Sequence, residues 1–179
     1  MKLLLHACCG PCACYPTEQL TAAGTDFDIL FFNPNIHPYK EFKHRLSTLR
    51  EFCEKKRYNL IIDKSYPIEE CIRGMLAEPT VRCAFCYRMR LRYAAQFAKE
   101  NAYDAFSTTL LVSPYQRHEL IKNGGRGSSG GVRYSVLLRG FPRRLSARRG
   151  YQPGAGAVSP AVLRLCLQRA RPLRNPQKA

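Results

Sequence analysis

Two rhythms of apolar and polar positions divide the first two-thirds of the chain. Lys2 to Ala7 is an apolar run and predicts a short buried strand. Gly10-Pro11 marks a turn, and a helix is expected toward Ala23, closed by Gly24. Pro11 suits a first helical position, whereas Pro16 falls inside and predicts a kink. Phe27 to Phe32 is a second apolar run, ending in Asn33-Pro34-Asn35-Ile36-His37-Pro38, where two prolines enforce a loop. From Tyr39 to Lys56, Phe42, Leu46, Leu49, Phe52 and Cys53 recur at helical spacing with charge between them. Asn59 to Asp63 predicts a third strand, and Glu69 to Leu76 a short helix broken at Glu78-Pro79. A longer helix then runs through Glu100 with Phe85, Met89 and Ala95 on one side. Ala105 to Val112 predicts a fourth strand, and Ser113-Pro114 opens a helix to about Asn123.

Strands alternating with helices point to an α/β fold, a mainly parallel sheet with helices on both faces. In such sheets the ligand crevice lies beyond the carboxyl ends of the strands. The first strand delivers Cys8 and Cys9 there, the second the Asn33–Pro38 loop, and the fourth Ser113-Pro114-Tyr115-Gln116.

Charge changes the picture of the carboxyl end. The 179 residues carry 29 Lys and Arg against 13 Asp and Glu, a net +16. From Gly124 onward there are 11 Arg, one Lys and no acid. The basic character therefore belongs mostly to a tail, and is weak evidence for nucleic acid. Two segments follow: an α/β domain over residues 1–123, and an irregular Gly/Arg/Pro-rich tail over 124–179. The tail is expected to be disordered and open to proteases. The amino terminus is too short in apolar residues for a signal-peptide core, and no later run approaches a membrane span. A cytoplasmic protein is expected, with no membrane partner.

That compartment decides what nine cysteines mean. Clustered thiols in the cytoplasm are metal-binding or catalytic more often than disulfide-forming. Cys9 and Cys12 form one Cys-x-x-Cys, Cys83 and Cys86 a second, and Cys8 adds a thiol beside the first. Thiolates suit zinc, copper(I) or iron–sulfur groups. A structural zinc site of two Cys-x-x-Cys pairs is the plain alternative, as part of a nucleic-acid-binding module without catalysis. Against it, the first motif follows a core strand, and Cys8 exceeds what tetrahedral zinc requires. Cys8, Cys9, Cys83 and Cys86 are the expected ligands. Cys12 either replaces one of them or lies just outside the set, and Cys8 and Cys12 are the candidate catalytic thiols. Cys53, Cys71 and Cys14 read as core residues, Cys166 as a lone tail thiol, and His6 as a buried, hydrogen-bonded residue. His37 and His44 read as surface residues. Arg88 and Arg92 share a helix face that reads equally as solvated or phosphate-binding. Tyr115 and Gln116 are within reach of a base or sugar in the crevice. A thiol-dependent enzyme transferring sulfur to tRNA would need a glycine-rich phosphate loop, and none is present.

Taken together, Leu5-His6-Ala7-Cys8-Cys9-Gly10-Pro11-Cys12, Phe32 to Pro38, Arg82-Cys83-Ala84-Phe85-Cys86-Tyr87 and Phe106 to Gln116 resemble the epoxyqueuosine reductases of the QueH family. The resemblance covers residues 1–123 and implies a Rossmann-like or PP-loop-like three-layer fold. It also implies the last step of queuosine synthesis, the two-electron reduction of epoxyqueuosine in a tRNA anticodon. It implies a [4Fe–4S] cluster on Cys8, Cys9, Cys83 and Cys86, with room for an additional iron. An unidentified electron donor would supply the reducing equivalents. Family members close with a Tyr-Cys-Gly-Cys-like segment bearing a redox-active disulfide. Here Cys166 stands alone, which suggests a reading-frame shift near Asn123 to Arg126. Such a shift would leave the cluster motif without that disulfide and cost the chain activity.

Overall fold

The computed structural model describes residues 1–77, 82–113 and 115–121, with the side chain of Arg82 also set aside. The expectations for the tail over 124–179, for the break at Glu78-Pro79 and for Pro114 lie outside the described residues.

Four strands, β1 (Lys2–His6), β2 (Asp26–Phe31), β3 (Leu60–Ile62) and β4 (Ala105–Thr108), form one parallel sheet in the order β3-β2-β1-β4. Four helices join them: α1 (Gly10–Ala22), α2 (Tyr39–Lys56), α3 (Ile68–Ala77) and α4 (Arg82–Glu100). The three-layer α/β fold is as the alternation predicted.

Successive side chains of a strand point to opposite faces, and β1 uses both. Leu3 and Leu5 pack with Ala13 of α1 and Phe42, Leu46 and Leu49 of α2. Leu4 packs with Leu91, Ala94 and Ala98 of α4 and with Phe106 of β4. A central strand covered on both faces reads as a continuous apolar run. Each fully buried leucine contributes about 2 kcal/mol relative to an exposed one. At the amino edge, Asp28 takes hydrogen bonds from Tyr103 (2.6 Å) and Asn59 (2.8 Å) and pairs with Lys2 (3.1 Å).

Three elements differ from the expected pattern. The fourth strand stops at Thr108, because its hydroxyl caps a 3-10 turn over Thr109–Val112 by accepting from the Leu110 amide. On α4 the buried stripe is Tyr87, Leu91, Ala94 and Ala98, with Met89 and Ala95 at its margin. Phe85 points instead toward α3, where a Cβ on Gly74 would lie 2.0 Å from its ring. After Ser113 the described helical turn begins only at 118. Helix α1 continues through Pro16. Gly24, at φ +61, follows it in the left-handed region that glycine tolerates.

Candidate metal centre

The sheet order places β1 between β2 and β4, so helices leave toward opposite faces at its carboxyl end. This is the crevice position for ligands in an open parallel sheet. The chain leaves β1 at His6, bonds once more from the Ala7 amide to Leu30 O (2.9 Å), and turns directly into α1. Asn33, fully buried after β2, donates from Nδ2 to Ala7 O at 2.9 Å and holds that turn. Cys9 is the extended residue before α1, Pro11 lies in its first turn, and Cys12 follows.

This turn resolves how adjacent cysteines can share one site. The sulfurs of Cys8 and Cys9 are 3.8 Å apart, and those of Cys8, Cys9 and Cys12 all lie within 4.8 Å of one another. Cys8 and Cys9 are buried and Cys12 is half-buried. Gly10 is required between them, because a Cβ there would sit 2.6 Å from the Thr48 carbonyl oxygen of α2.

The three thiols share charge unequally. Hydrogen bonds from Cys12 and then Cys9 hold Cys8 well below the ordinary thiol range, against burial and with help from Arg45 and Thr109. Thr109 Oγ1 donates to the Cys8 sulfur at 3.6 Å. Hydrogen bonds to Cys8 and Cys9 push Cys12 up, as does its burial. The free amides at the start of α1 favour a thiolate at this end. Three soft donors around one favoured thiolate fit zinc, copper(I) or an iron–sulfur group, and not a hard cation.

Behind the thiols, His6 is fully buried, its Nε2 bonded to Phe32 O (3.0 Å) and its Nδ1 to Thr108 Oγ1 (2.9 Å). Burial and then the charge of Arg90 lower its pKa to about 4. It is therefore a neutral imidazole, donating from Nε2 and accepting the Thr108 hydroxyl. It locks the carboxyl ends of β1, β2 and β4 together.

The second Cys-x-x-Cys falls in the first turn of α4. Cys83 is exposed and Cys86 half-buried. Among the described residues neither belongs to the three-sulfur group within 4.8 Å. Burial pushes the Cys86 thiol up, with the charge of Arg90 and then a hydrogen bond from Cys71 of α3 acting against it. Arg90, one turn on, donates from Nε to Cys86 O at 3.1 Å, and its charge acts on both Cys86 and Cys8.

The remaining candidates are spread around this centre. Tyr115 is exposed. Gln116 accepts the Tyr87 hydroxyl at 2.5 Å, and the Arg117 amide donates to the same hydroxyl at 3.4 Å. Arg88 and Arg92 line a crevice of about 480 Å³ with Phe32, Phe85 and Tyr93. Phe32 and Tyr93 stack there with ring centroids 3.7 Å apart. Cys53 and Cys71 are core residues as read from sequence, at 2% and 0% exposure.

Arg90, with Arg82, Arg88 and Arg92, flanks the second motif in the sequence and is expected on a solvated or phosphate-binding face, but it is buried. The contacts of Thr109 and Asn33 escaped the sequence reading. Arg90 was legible in principle, because Cys86 and Arg90 are four apart and share a helix face. Thr109 and Asn33 carried no such signal, since their partners are distant in sequence.

Fold and site together define an α/β protein with a buried soft-donor centre at the switch point of a parallel sheet. A family model described as Epoxyqueuosine reductase QueH matches residues 3–151. A relative of that name from Acinetobacter baylyi is 41% identical over 130 residues, covering 69% of this chain and 59% of its own. One from Dehalococcoides mccartyi is 36% identical over 118 residues, covering 66% and 65%. One from Staphylococcus epidermidis is 34% identical over 163 residues, covering 84% and 66%. The chain belongs to the epoxyqueuosine reductase QueH family. It spans 65% and 59% of the length of the Dehalococcoides and Acinetobacter relatives. Among the described residues no helix is long and apolar enough to cross a membrane.

Proposed function

We propose that this chain performs the reaction for which its relatives are named, reducing epoxyqueuosine in tRNA to queuosine with an iron–sulfur group held by cysteines. The observation that carries this reading is the trio of sulfurs from Cys8, Cys9 and Cys12 within 4.8 Å, buried at the end of β1 in a chain of this family. In this reading Cys8, Cys9, Cys83 and Cys86 hold a [4Fe–4S] cluster, and Cys12 is left for an additional iron or for the substrate. Bound there, such a group supplies electrons and a Lewis-acidic iron.

The overall reaction takes two electrons and two protons, converts the epoxide to an alkene and releases its oxygen as water. An external donor provides the electrons. Cys12, the thiol of the trio that this reading leaves outside the ligand set, is the group within reach to give one proton to the departing oxygen. The Arg88 and Arg92 face holds backbone phosphate, which positions a nucleic acid without reading its sequence. Tyr115 offers an exposed ring for stacking an unpaired base, and Tyr87 keeps Gln116 beside it. A thiol-rich redox centre of this kind belongs in the reducing cytoplasm.

The test is anaerobic purification followed by iron, sulfide and zinc analysis, and turnover of tRNA bearing the epoxide, read as loss of one oxygen by mass spectrometry. Cluster loading and turnover are scored separately, because Cys166 has no neighbouring cysteine to form the disulfide that the family resemblance implies. Cys83→Ala is expected to lose both colour and turnover, and Cys12→Ser to keep colour and lose turnover. Colourless wild-type protein holding zinc alone would instead support a zinc-stabilised nucleic-acid-binding module.

A further inference from the structure

Arg90 is 6% exposed, on the buried part of α4. Among the described residues no carboxylate is in ion-pair contact with it. Its neutral contacts are few: Nε to Cys86 O at 3.1 Å, and the guanidinium carbon 5.9 Å from the centroid of the Tyr87 ring. The charge of Arg45 opposes its own, which in turn disfavours a proton on His6. A guanidinium removed from water is costly to keep unless an anion faces it. The groups near enough to act on its charge are the Cys86 thiol of its own helix, the Cys8 thiol at the end of β1 and the Tyr87 hydroxyl. Burial holds the Cys86 thiol up, so its sulfur becomes negative on binding a metal or cluster.

We infer that Arg90 is the built-in counter-charge of the cysteine centre, a buried cation that balances the negative charge of Cys8 and Cys86 and of whatever anionic group they hold. This rests on the reading of these cysteines as ligands. Thiolates around a metal or cluster carry excess negative charge, and Arg90 supplies a fixed positive charge one turn from Cys86, to which Arg45 adds at Cys8. Arg90 is thus a positioning and tuning residue. It stabilises the loaded site and makes it easier to reduce, because an added electron is drawn toward a fixed cation.

Arg90→Met keeps the length and apolar stem and removes the charge, whereas Arg90→Lys restores the charge on a different head. Two measurements on the full chain decide the matter. The first is Cd²⁺ affinity of the metal-free protein, followed at the thiolate-to-metal charge-transfer band. Arg90→Met is expected to weaken it on the order of tenfold, with Arg90→Lys recovering most of the loss. The second is the midpoint potential of the reconstituted protein, expected to move negative in Arg90→Met and back toward wild type in Arg90→Lys. Equal Cd²⁺ affinity in folded wild type and Arg90→Met, judged by circular dichroism, overturns the assignment, as does an equally weakened Arg90→Lys. A wild type that takes no iron–sulfur group sinks the reductase reading alone, since the Cd²⁺ measurement stands without it.

Discussion

The geometry of Gly10 makes a quantitative demand on the metal centre. In Gly10→Ala the new methyl would lie 2.6 Å from the Thr48 carbonyl oxygen and 3.0 Å from its carbon, both backbone atoms of α2. Ordinary contact begins near 3.4 Å. The first turn of α1 must therefore retreat by several tenths of an ångström, because helix backbone cannot swing away as a side chain would. Overpacking of this kind costs about 1–3 kcal/mol. Replacing glycine in a helix returns about 0.5–1 kcal/mol, less at a first turn, so the net loss is about 1–2 kcal/mol. For a chain of this size that lowers Tm by about 2–8 °C. Because Cys9 and Cys12 flank Gly10 while Cys8 is anchored to Thr109, the retreat also separates the sulfurs. Metal retention should fall by more than the loss of stability explains. Gly24→Ala is the control: nothing lies within 4 Å of its Cβ, and its φ of +61 gives a backbone cost of about 1 kcal/mol far from the site. Urea unfolding of the metal-free proteins and Cd²⁺ binding by both variants make the comparison. If Gly10→Ala unfolds at the wild-type midpoint, or binds Cd²⁺ no worse than Gly24→Ala, the close approach of α1 and α2 does not hold the centre.

Further predictions concern the supports of the sheet and the crevice. Tyr103→Phe deletes the 2.6 Å bond to Asp28 and should cost about 1–2 kcal/mol at neutral pH. Burial pushes Asp28 up, but hydrogen bonds from Tyr103, Asn59 and Lys2 outweigh it and hold its carboxyl below the ordinary 3.8. The unfolded chain then binds more protons just below that value, so the contribution is complete above it and fades as pH falls through the folded pKa. The stability gap between wild type and Tyr103→Phe should accordingly narrow below about pH 4, and a gap constant down to pH 2 would contradict the assignment. Tyr87→Phe frees Gln116 and the Arg117 amide from their shared hydroxyl. Under the proposed function it should weaken tRNA binding by about threefold in a filter assay, the loss of one modest hydrogen bond, without changing iron content. Unchanged affinity would remove the 115–117 segment from the interface.

Local pattern alone was enough for the sheet and its helices. Leu3-Leu4-Leu5 is an unbroken apolar run because β1 is covered on both faces, and Phe42, Leu46 and Leu49 mark the buried stripe of α2 at its own period. Cys8, Cys9 and Cys12 need only one strand end and one helical turn to converge, whereas the expected joining of Cys83 and Cys86 to Cys8 and Cys9 depends on the whole fold. Length of contact decided the rest. The charge of Arg90 reaches Cys8, and His6 meets Thr108 and Asn33 meets Ala7, only after the strands are ordered β3-β2-β1-β4. Nothing in the neighbourhood of those residues along the chain announces such partners. Composition could tell that α4 is rich in arginine, but not which one is buried. That choice was made by the rotation of α4, which turns Tyr87, Leu91 and Ala94 to the sheet, leaves Arg88 and Arg92 at the crevice and carries Arg90 inward, beside Cys86.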